Sequence, residues 1–268
     1  MAGATLEEGL AKPDQVIEAG GVALLAPGAV FHDTHKAASF TFRDAVRWSS
    51  NIVMGRLGLR LGSERLYRYA TDLGFGEMTG VDFPGEASGH LRSPASWSAR
   101  SCPTIAIGHE LAVTPLQLAL AYSAVANGGV WVQPHLVERI GGRLYNDHKR
   151  RRVVSPKIDK VLKQMLTGVV DEHGATGNAA AIPGYTVAGK TGTAQVPGPH
   201  GYTTGQYVAS FVGMVPVKEP RLVVLVVVNE PTRGIFGGTV AAPAFAAIAK
   251  FDLQHLNVPP DHPVAPAK

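Results

Sequence analysis

The sequence predicts an α+β fold in which antiparallel sheet strands are packed by a helical region and a C-terminal helix. Three observations carry this. Capped segments with helical apolar spacing fill the middle of the chain, from Thr41 to Leu73 and again from Thr114 to Val125. Val-rich extended runs then follow one another in the last third: Tyr185–Ala188 into Lys190–Thr193, Tyr207–Val215 and Leu222–Asn229. An apolar segment, Thr239–Leu256, closes the chain as a helix. Helices first and sequential strands afterwards argue for segregated helices and an antiparallel sheet, not alternating βαβ units.

The elements follow in order. Residues 1–9 read as the end of a helix, rich in Ala, Leu and Glu, with Gly9 as the stop and Pro13 barring continuation. Residues 14–42 alternate short apolar runs with Gly and Pro, as small hairpins in a loop-rich stretch do. Thr41 is an N-cap with Asp44 at the N3 position. A second helix starts near Asn51, with Ile52, Leu57, Leu59 and Leu61 partly sharing a face. A third runs from Ser63 to about Leu73 and ends near Gly74.

Residues 75–104 are rich in Gly, Pro and Ser and predict mostly loop. Thr114, Pro115 and Gln117 fit the N-cap, N1 and N3 positions of a helix that stops at Asn127-Gly128-Gly129. Apolar around much of its girth, it is expected deep in the core. Val130–Ile140 and Arg143–Tyr145 read as a small hairpin, and Ser155-Pro156 opens a helix reaching Val170. Residues 1–257 read as one domain, and the Pro-rich stretch 258–268 as a loose tail.

Composition bounds the function. With 268 residues, 45% hydrophobic and 17% charged, the chain is globular. The formal charge of +4 owes much to one run, His148-Lys149-Arg150-Arg151-Arg152. Such a run can touch nucleic acid or anionic lipid, but neither interleaved aromatics nor a nucleic-acid motif accompanies it, so it reads as a solvated loop. Nucleic acid is not an expected partner. Cys102, the single cysteine, excludes an intrachain disulfide and reads as structural.

Nothing approaches the roughly 18 apolar residues that span a bilayer. The first residues also lack the basic region of a signal peptide, so an anchor or signal is expected elsewhere if the domain works outside the cytoplasm. His32 and His35 lack the companions of a metal site, and no metal or cofactor is expected. Gly234, Gly237 and Gly238 match no phosphate-binding loop, and the Gly237-Gly238 pair fits a turn before the last helix.

Two motifs carry chemistry. Lys190-Thr191-Gly192-Thr193 places an amine and two hydroxyls along an extended segment, with Thr191 and Thr193 pointing to one side. Gly192 between them lets a ligand backbone approach, and edge N–H groups can serve an oxyanion. This suits a carboxylate beside a reacting carbonyl. Ser49-Ser50-Asn51 is the second motif. By itself it reads as polar residues capping the next helix. In a site, Ser49 relays a proton while Asn51 holds a peptide carbonyl or a lysine.

Their order and their spacing of about 140 residues give the pair its weight. With Val113–Ala119, Ala126–Gly129, Gly189–Gln195, Tyr207–Gly213 and Gly237–Pro243, the chain resembles the C-terminal part of a class B penicillin-binding protein transpeptidase domain, most of all the septal, FtsI-like type. The resemblance covers almost all of residues 1–257 and implies the serine β-lactamase-like fold. It implies an acyl-transfer enzyme in which a serine attacks the D-Ala-D-Ala end of a peptidoglycan stem peptide. The acyl group then passes to an amine of a neighbouring strand, and β-lactams trap the intermediate. Ser49 and Asn51 are the implied second element, and Lys190 sets the electrostatics around Ser49. Thr191 and Thr193 are implied to bind the terminal carboxylate, with Gly192 between them in the substrate-binding strand and the Thr193 N–H as one half of the oxyanion hole. The implied partners are stem peptides, β-lactams, division-complex membrane proteins and a glycan polymerase, on the extracytoplasmic face of the membrane.

One element departs from that pattern. S-x-x-K, which carries the nucleophile, occurs nowhere in residues 1–268: Ser155-Pro156-Lys157 has the wrong spacing and Asp33-Thr34-His35-Lys36 has no serine there. The resemblance places that segment shortly before Met1, with residues 1–9 as the remainder of its helix, and the chain is expected to be inactive alone. It also places two further strands beside Leu222–Val228, so that apolar edge is expected open and prone to association. A non-catalytic or decayed fragment acting through partner contacts is the alternative. A class A β-lactamase or β-lactam sensor fits less well, since the triad's middle residue is Ser50, not Asp.

Overall fold

A computed structural model describes residues 1–198 and 201–262. The chain divides into two units: Met1–Ala45 with Ser49–Leu162, and Val46–Trp48 with Lys163 onward.

The first unit is helical with small hairpins. Its elements are α1 (Ala2–Glu7), β1 (Val16–Glu18), β2 (Val22–Ala26), β3 (Ala29–His32), β4 (Ser39–Thr41), the start of α2 (Phe42–Arg47), α3 (Asn51–Leu61) and α4 (Ser63–Asp72). There follow α5 (Ser101–Ala106), α6 (Pro115–Ala126), β5 (Val130–Val132), β6 (Arg139–Ile140), β7 (Arg143–Leu144), β8 (Arg150–Arg152) and the start of α7 (Pro156–Asp171). Local chemistry sets these boundaries. The Thr41 hydroxyl accepts from Asp44 N at 3.1 Å and donates to Asp44 Oδ2 at 2.7 Å, which starts α2 as the sequence predicts. Thr114 and Gln117 form a reciprocal capping box, with Pro115 in the first turn of α6. The unit's core gathers Ala4, Leu61, Leu66, Tyr69, Ile105 and Trp131.

Several expectations need correction here. The end of the expected loop, from Ser101 on, is helix α5, which runs to Ala106, because its first turn is tied down: Ser101 Oγ accepts from Ser98 N at 3.0 Å and donates to Glu110 at 2.7 Å. This helix lies so close to α3 that a Cβ on Gly58 would sit 2.4 Å from that of Ala106. Cys102, structural as expected, donates its thiol proton to the Gly58 carbonyl at 3.1 Å. Of the four α3 residues expected to share a face in part, Ile52, Leu57 and Leu61 are buried and Leu59 is exposed. Helix α6 is only partly buried; its buried residues are Gln117, Ala121 and Ala124.

The basic run is also not a solvated loop throughout. Arg150–Arg152 is strand β8, paired antiparallel with β5. Arg151 stacks on the Trp131 ring at 3.8 Å and donates to the Asp72 carbonyl at 2.5 Å, while Arg152 donates to the carbonyls of Gly128 and Val154. These two cations are spent on holding the unit together. The expected hairpin after Val130 shrinks to β6 and β7, because β5 takes β8 as its partner.

In the second unit, β9 (Ala188–Gly198), β10 (Gly201–Val215) and β11 (Leu222–Asn229) form an antiparallel sheet in the order β11-β10-β9. The closing helix comes in two pieces, α8 (Gly237–Val240) and α9 (Ala242–His255). The second piece buries Phe245, Ala249 and Leu253 against Phe211, Val215 and Val187, with the Phe211 and Phe245 rings 4.8 Å apart. Among the described strands β11 has one neighbour, so its outer edge is open.

The predicted loose tail is tied down at its start. Val258 is buried in this core and its carbonyl accepts from the Tyr185 hydroxyl at 2.6 Å. Asp261 bonds Thr186 N at 2.8 Å through its carboxylate and the Gly184 carbonyl at 3.0 Å through its N–H. Residues 263–268 of that tail lie outside the described residues. No helix among the described residues is long and apolar enough to cross a membrane.

Candidate active site

The residues singled out in the sequence fall into two groups, one in each unit. In the first unit, Ser49 links α2 to α3 in the left-handed region, at φ 58°. A β-carbon is costly in that conformation, so the surroundings must fix it. They do so through Asp33, a buried carboxylate for which sequence reading found no role. Its Oδ2 accepts from Ser50 Oγ at 2.6 Å and its Oδ1 from Ile52 N at 3.1 Å. Ser50 Oγ accepts in turn from Val53 N at 3.1 Å, which is the helix-capping role that the triad by itself suggests. Asn51 Nδ2 donates to the His32 carbonyl at 3.0 Å.

The 32–33 segment therefore clamps the start of α3. Two N–H groups at its N-terminus are satisfied from buried oxygens, and a carboxylate there also suits the helix dipole. Ser50 is sealed inside. Ser49 stays exposed. No sequence pattern ties Asp33 to Ser50, since the two meet through a 17-residue excursion.

In the second unit, Lys190–Thr193 lies on β9, at the end of the sheet. Lys190 pairs across with Val212, Gly192 with Ser210 and Thr193 with Ala209. An edge strand turns every other N–H and C=O away from its neighbour, leaving them available to an extended ligand. Thr191 and Thr193 point to one side, as expected. Gly237 N donates to Thr193 Oγ1 at 3.2 Å, and the Thr191 methyl lies 3.5 Å from where a Gly238 Cβ would be. On the other side, a Cβ on Gly192 would come within 2.4 Å of Ser210 Oγ. A side chain at this position would therefore oblige Ser210 to turn its hydroxyl aside.

The Gly237-Gly238 pair is not a turn but the first turn of α8, laid directly on the sheet. A Cβ on Gly237 would fall 2.0 Å from the Ser210 carbonyl oxygen and 2.5 Å from that of Gly192. Side-chain-free contact of this kind holds the helix against the very strand that carries the motif.

Lys190 is half-buried and its ammonium donates to Thr191 O at 3.2 Å and Thr191 Oγ1 at 3.3 Å. Burial holds its pKa down to about 8, against 10.5 for an exposed lysine. An amine poised there exchanges a proton readily near neutral pH. The shift also has a consequence for stability. Between about pH 8 and about pH 10.5 the unfolded chain keeps the proton that the folded chain has lost, so folding grows more favourable as pH rises through that window. Relative to Lys190→Met, the wild-type urea midpoint is expected to climb across that range. A difference that stays flat there contradicts the assignment.

The model of the penicillin binding protein transpeptidase domain matches residues 1–250 of this chain. The chain is 36% identical over 274 residues to the penicillin-binding protein PbpB of Mycolicibacterium smegmatis, covering 96% of this chain and 42% of that protein. It is 36% identical over 236 residues to the probable peptidoglycan D,D-transpeptidase PbpC of Pseudomonas aeruginosa, covering 88% of this chain and 41% of the relative. The chain thus spans about two fifths of the length of these relatives. Among solved structures, it is similar to the apo TP domain of Burkholderia pseudomallei penicillin-binding protein 3, at 35% identity and a TM-score of 0.89, covering 98% of this chain and 78% of that one. It is likewise similar to penicillin-binding protein 3 of Mycobacterium tuberculosis complexed with aztreonam, at 33% identity and a TM-score of 0.88, covering 98% and 62%.

Proposed function

Because the chain belongs to the penicillin-binding protein transpeptidase family, we propose that it supplies the second and third active-site elements of a peptidoglycan D,D-transpeptidase that cross-links stem peptides at the division septum. The observation that carries this reading is the Lys190 amine, with its lowered pKa, on an edge strand whose Thr193 hydroxyl is tied to Gly237.

In this reading the D-Ala-D-Ala end of a stem peptide lies along β9. Thr191 and Thr193 take its carboxylate, and the Thr193 N–H is one oxyanion donor. Ser49 passes a proton towards the leaving D-Ala, Asn51 holds a peptide carbonyl, and Lys190 lowers the cost of negative charge on the reacting peptide end. The attacking serine belongs to an S-x-x-K element, which residues 1–268 do not include. By themselves these residues recognise the peptide end and do not acylate. β-Lactams are expected to bind as mimics of that end. Division-complex membrane proteins and a glycan polymerase are the proposed partners, on the extracytoplasmic side.

Fluorescent penicillin tests this. The 268-residue chain is expected to take no covalent label, and the same chain fused behind a segment carrying S-x-x-K to label at the new serine. Labelling of the 268 residues alone overturns the assignment of the nucleophile. A correctly folded fusion that labels equally well with Lys190→Ala overturns the assignment of the amine.

A further inference from the structure

A directed run of hydroxyls links the Lys190 amine to the main chain just ahead of Ser49. Lys190 Nζ donates to Thr191 Oγ1 at 3.3 Å, Thr191 Oγ1 donates to Thr176 Oγ1 at 3.2 Å, and Thr176 Oγ1 donates to the Arg47 carbonyl at 3.1 Å. The last acceptor fixes the direction. A carbonyl cannot donate, so the Thr176 proton is committed to Arg47 and its lone pairs turn to Thr191. The Thr191 proton is committed in turn, which leaves that oxygen's lone pairs for the ammonium.

The middle and the far end of the run are both anchored within the second unit. Thr176 lies in the turn that closes α7, where Gly177 N bonds the Val169 carbonyl at 3.0 Å and Asn178 Nδ2 bonds the carbonyls of Val170 and Glu172. The Thr176 carbonyl packs against Gly238, where a Cβ would come within 2.1 Å of it. At the far end, the Arg47 guanidinium pairs with Glu172, donates to the His173 carbonyl at 3.0 Å and lies over the Trp48 ring. Among the described residues, the run carries charge at both ends, Lys190 at one and the Arg47–Glu172 pair at the other.

We propose that Thr176 is a positioning residue for the Lys190 amine: its hydroxyl orients that of Thr191 towards the ammonium and ties the Lys-Thr-Gly-Thr strand to Arg47, two residues before Ser49. This rests on the reading of Lys190 as an active-site amine, but its test does not. Thr176→Val keeps the shape of the side chain and removes the hydroxyl. Thr191 is then free to turn its proton towards Lys190, and the ammonium loses an acceptor.

The experiment is an NMR titration of the 268-residue chain with 13C-labelled lysines, the Lys190 signal being assigned through Lys190→Met. The Lys190 midpoint is expected to fall by roughly 1–2 pH units in T176V, as the loss of one hydrogen bond to a charged group implies, and to return in T176S. Should T176V not fold, T191V breaks the same run and is expected to give the same direction of shift. A midpoint that stays put in T176V, or in T191V where only that variant folds, leaves these hydroxyls as spacers and overturns the proposal. A shifted midpoint together with unimpaired penicillin labelling by the K190A fusion keeps the relay and removes the catalytic reading of Lys190.

Discussion

Replacing Gly237 with alanine is expected to break the contact between α8 and the sheet, with a loss of about 3 kcal/mol in stability. The new Cβ would stand 2.0 Å from one backbone oxygen and 2.5 Å from another, and neither belongs to a side chain that can rotate away. The helix must therefore withdraw by about 1 Å, a large shift in a close-packed interior. Withdrawal pulls Gly237 N off Thr193 Oγ1, so the hydroxyl on the motif strand loses its anchor. Gly3→Ala is the internal control: it lies in α1 and its Cβ meets only side-chain carbons at 3.4 Å. In urea, G237A should unfold well below wild type and G3A close to it. Equal midpoints for all three would falsify the account of α8.

Gln117→Leu is expected to cost the first unit about 4 kcal/mol, or roughly 1.5 M in urea midpoint. The side chain is fully buried. Its Nε2 donates to the carbonyls of Gly74, Glu77 and Ser88 at 3.1, 2.8 and 2.8 Å, and its Oε1 accepts from Thr114 N at 2.8 Å. One amide thereby ties the loop after α4 to the cap of α6. Leucine fills the same space but leaves these groups without their partner, and a buried unsatisfied group costs about 1–3 kcal/mol. Tryptophan fluorescence during urea unfolding reads the result, and a shift below about 0.5 M would show that water or a rearranged loop satisfies those groups.

Gln117 also shows how far the sequence reaches. Its place at the third position of a capped helix was legible, because capping depends on residues three apart. Its grip on three carbonyls 29–43 residues earlier was not, since no local pattern encodes it. The same split recurs at Ser50, read as a helix cap, whose buried partner Asp33 is known only from the fold. It recurs at Arg151, whose charge suggested a solvated loop until Trp131 and the Asp72 carbonyl came to meet it. Gly237 and Gly238 were read as a turn because glycine so often serves backbone freedom, whereas here the need is for close approach. Thr176 gave no signal at all, its role depending on two hydroxyl contacts made across the fold.

The sequence alone determined the α+β order of elements, the caps of α2, α3 and α6, and the two motifs whose pairing points to a transpeptidase. Those features rest on side-chain periodicity and on hydrogen bonds within one turn of chain, so they can be read from neighbouring residues. Only the tertiary structure decided that β9 is an edge strand, that α8 seats without side chains upon it, and that burial holds Lys190 down to about 8. Desolvation and backbone contact belong to whatever packs around a residue, and that packing is supplied by chain far away in sequence.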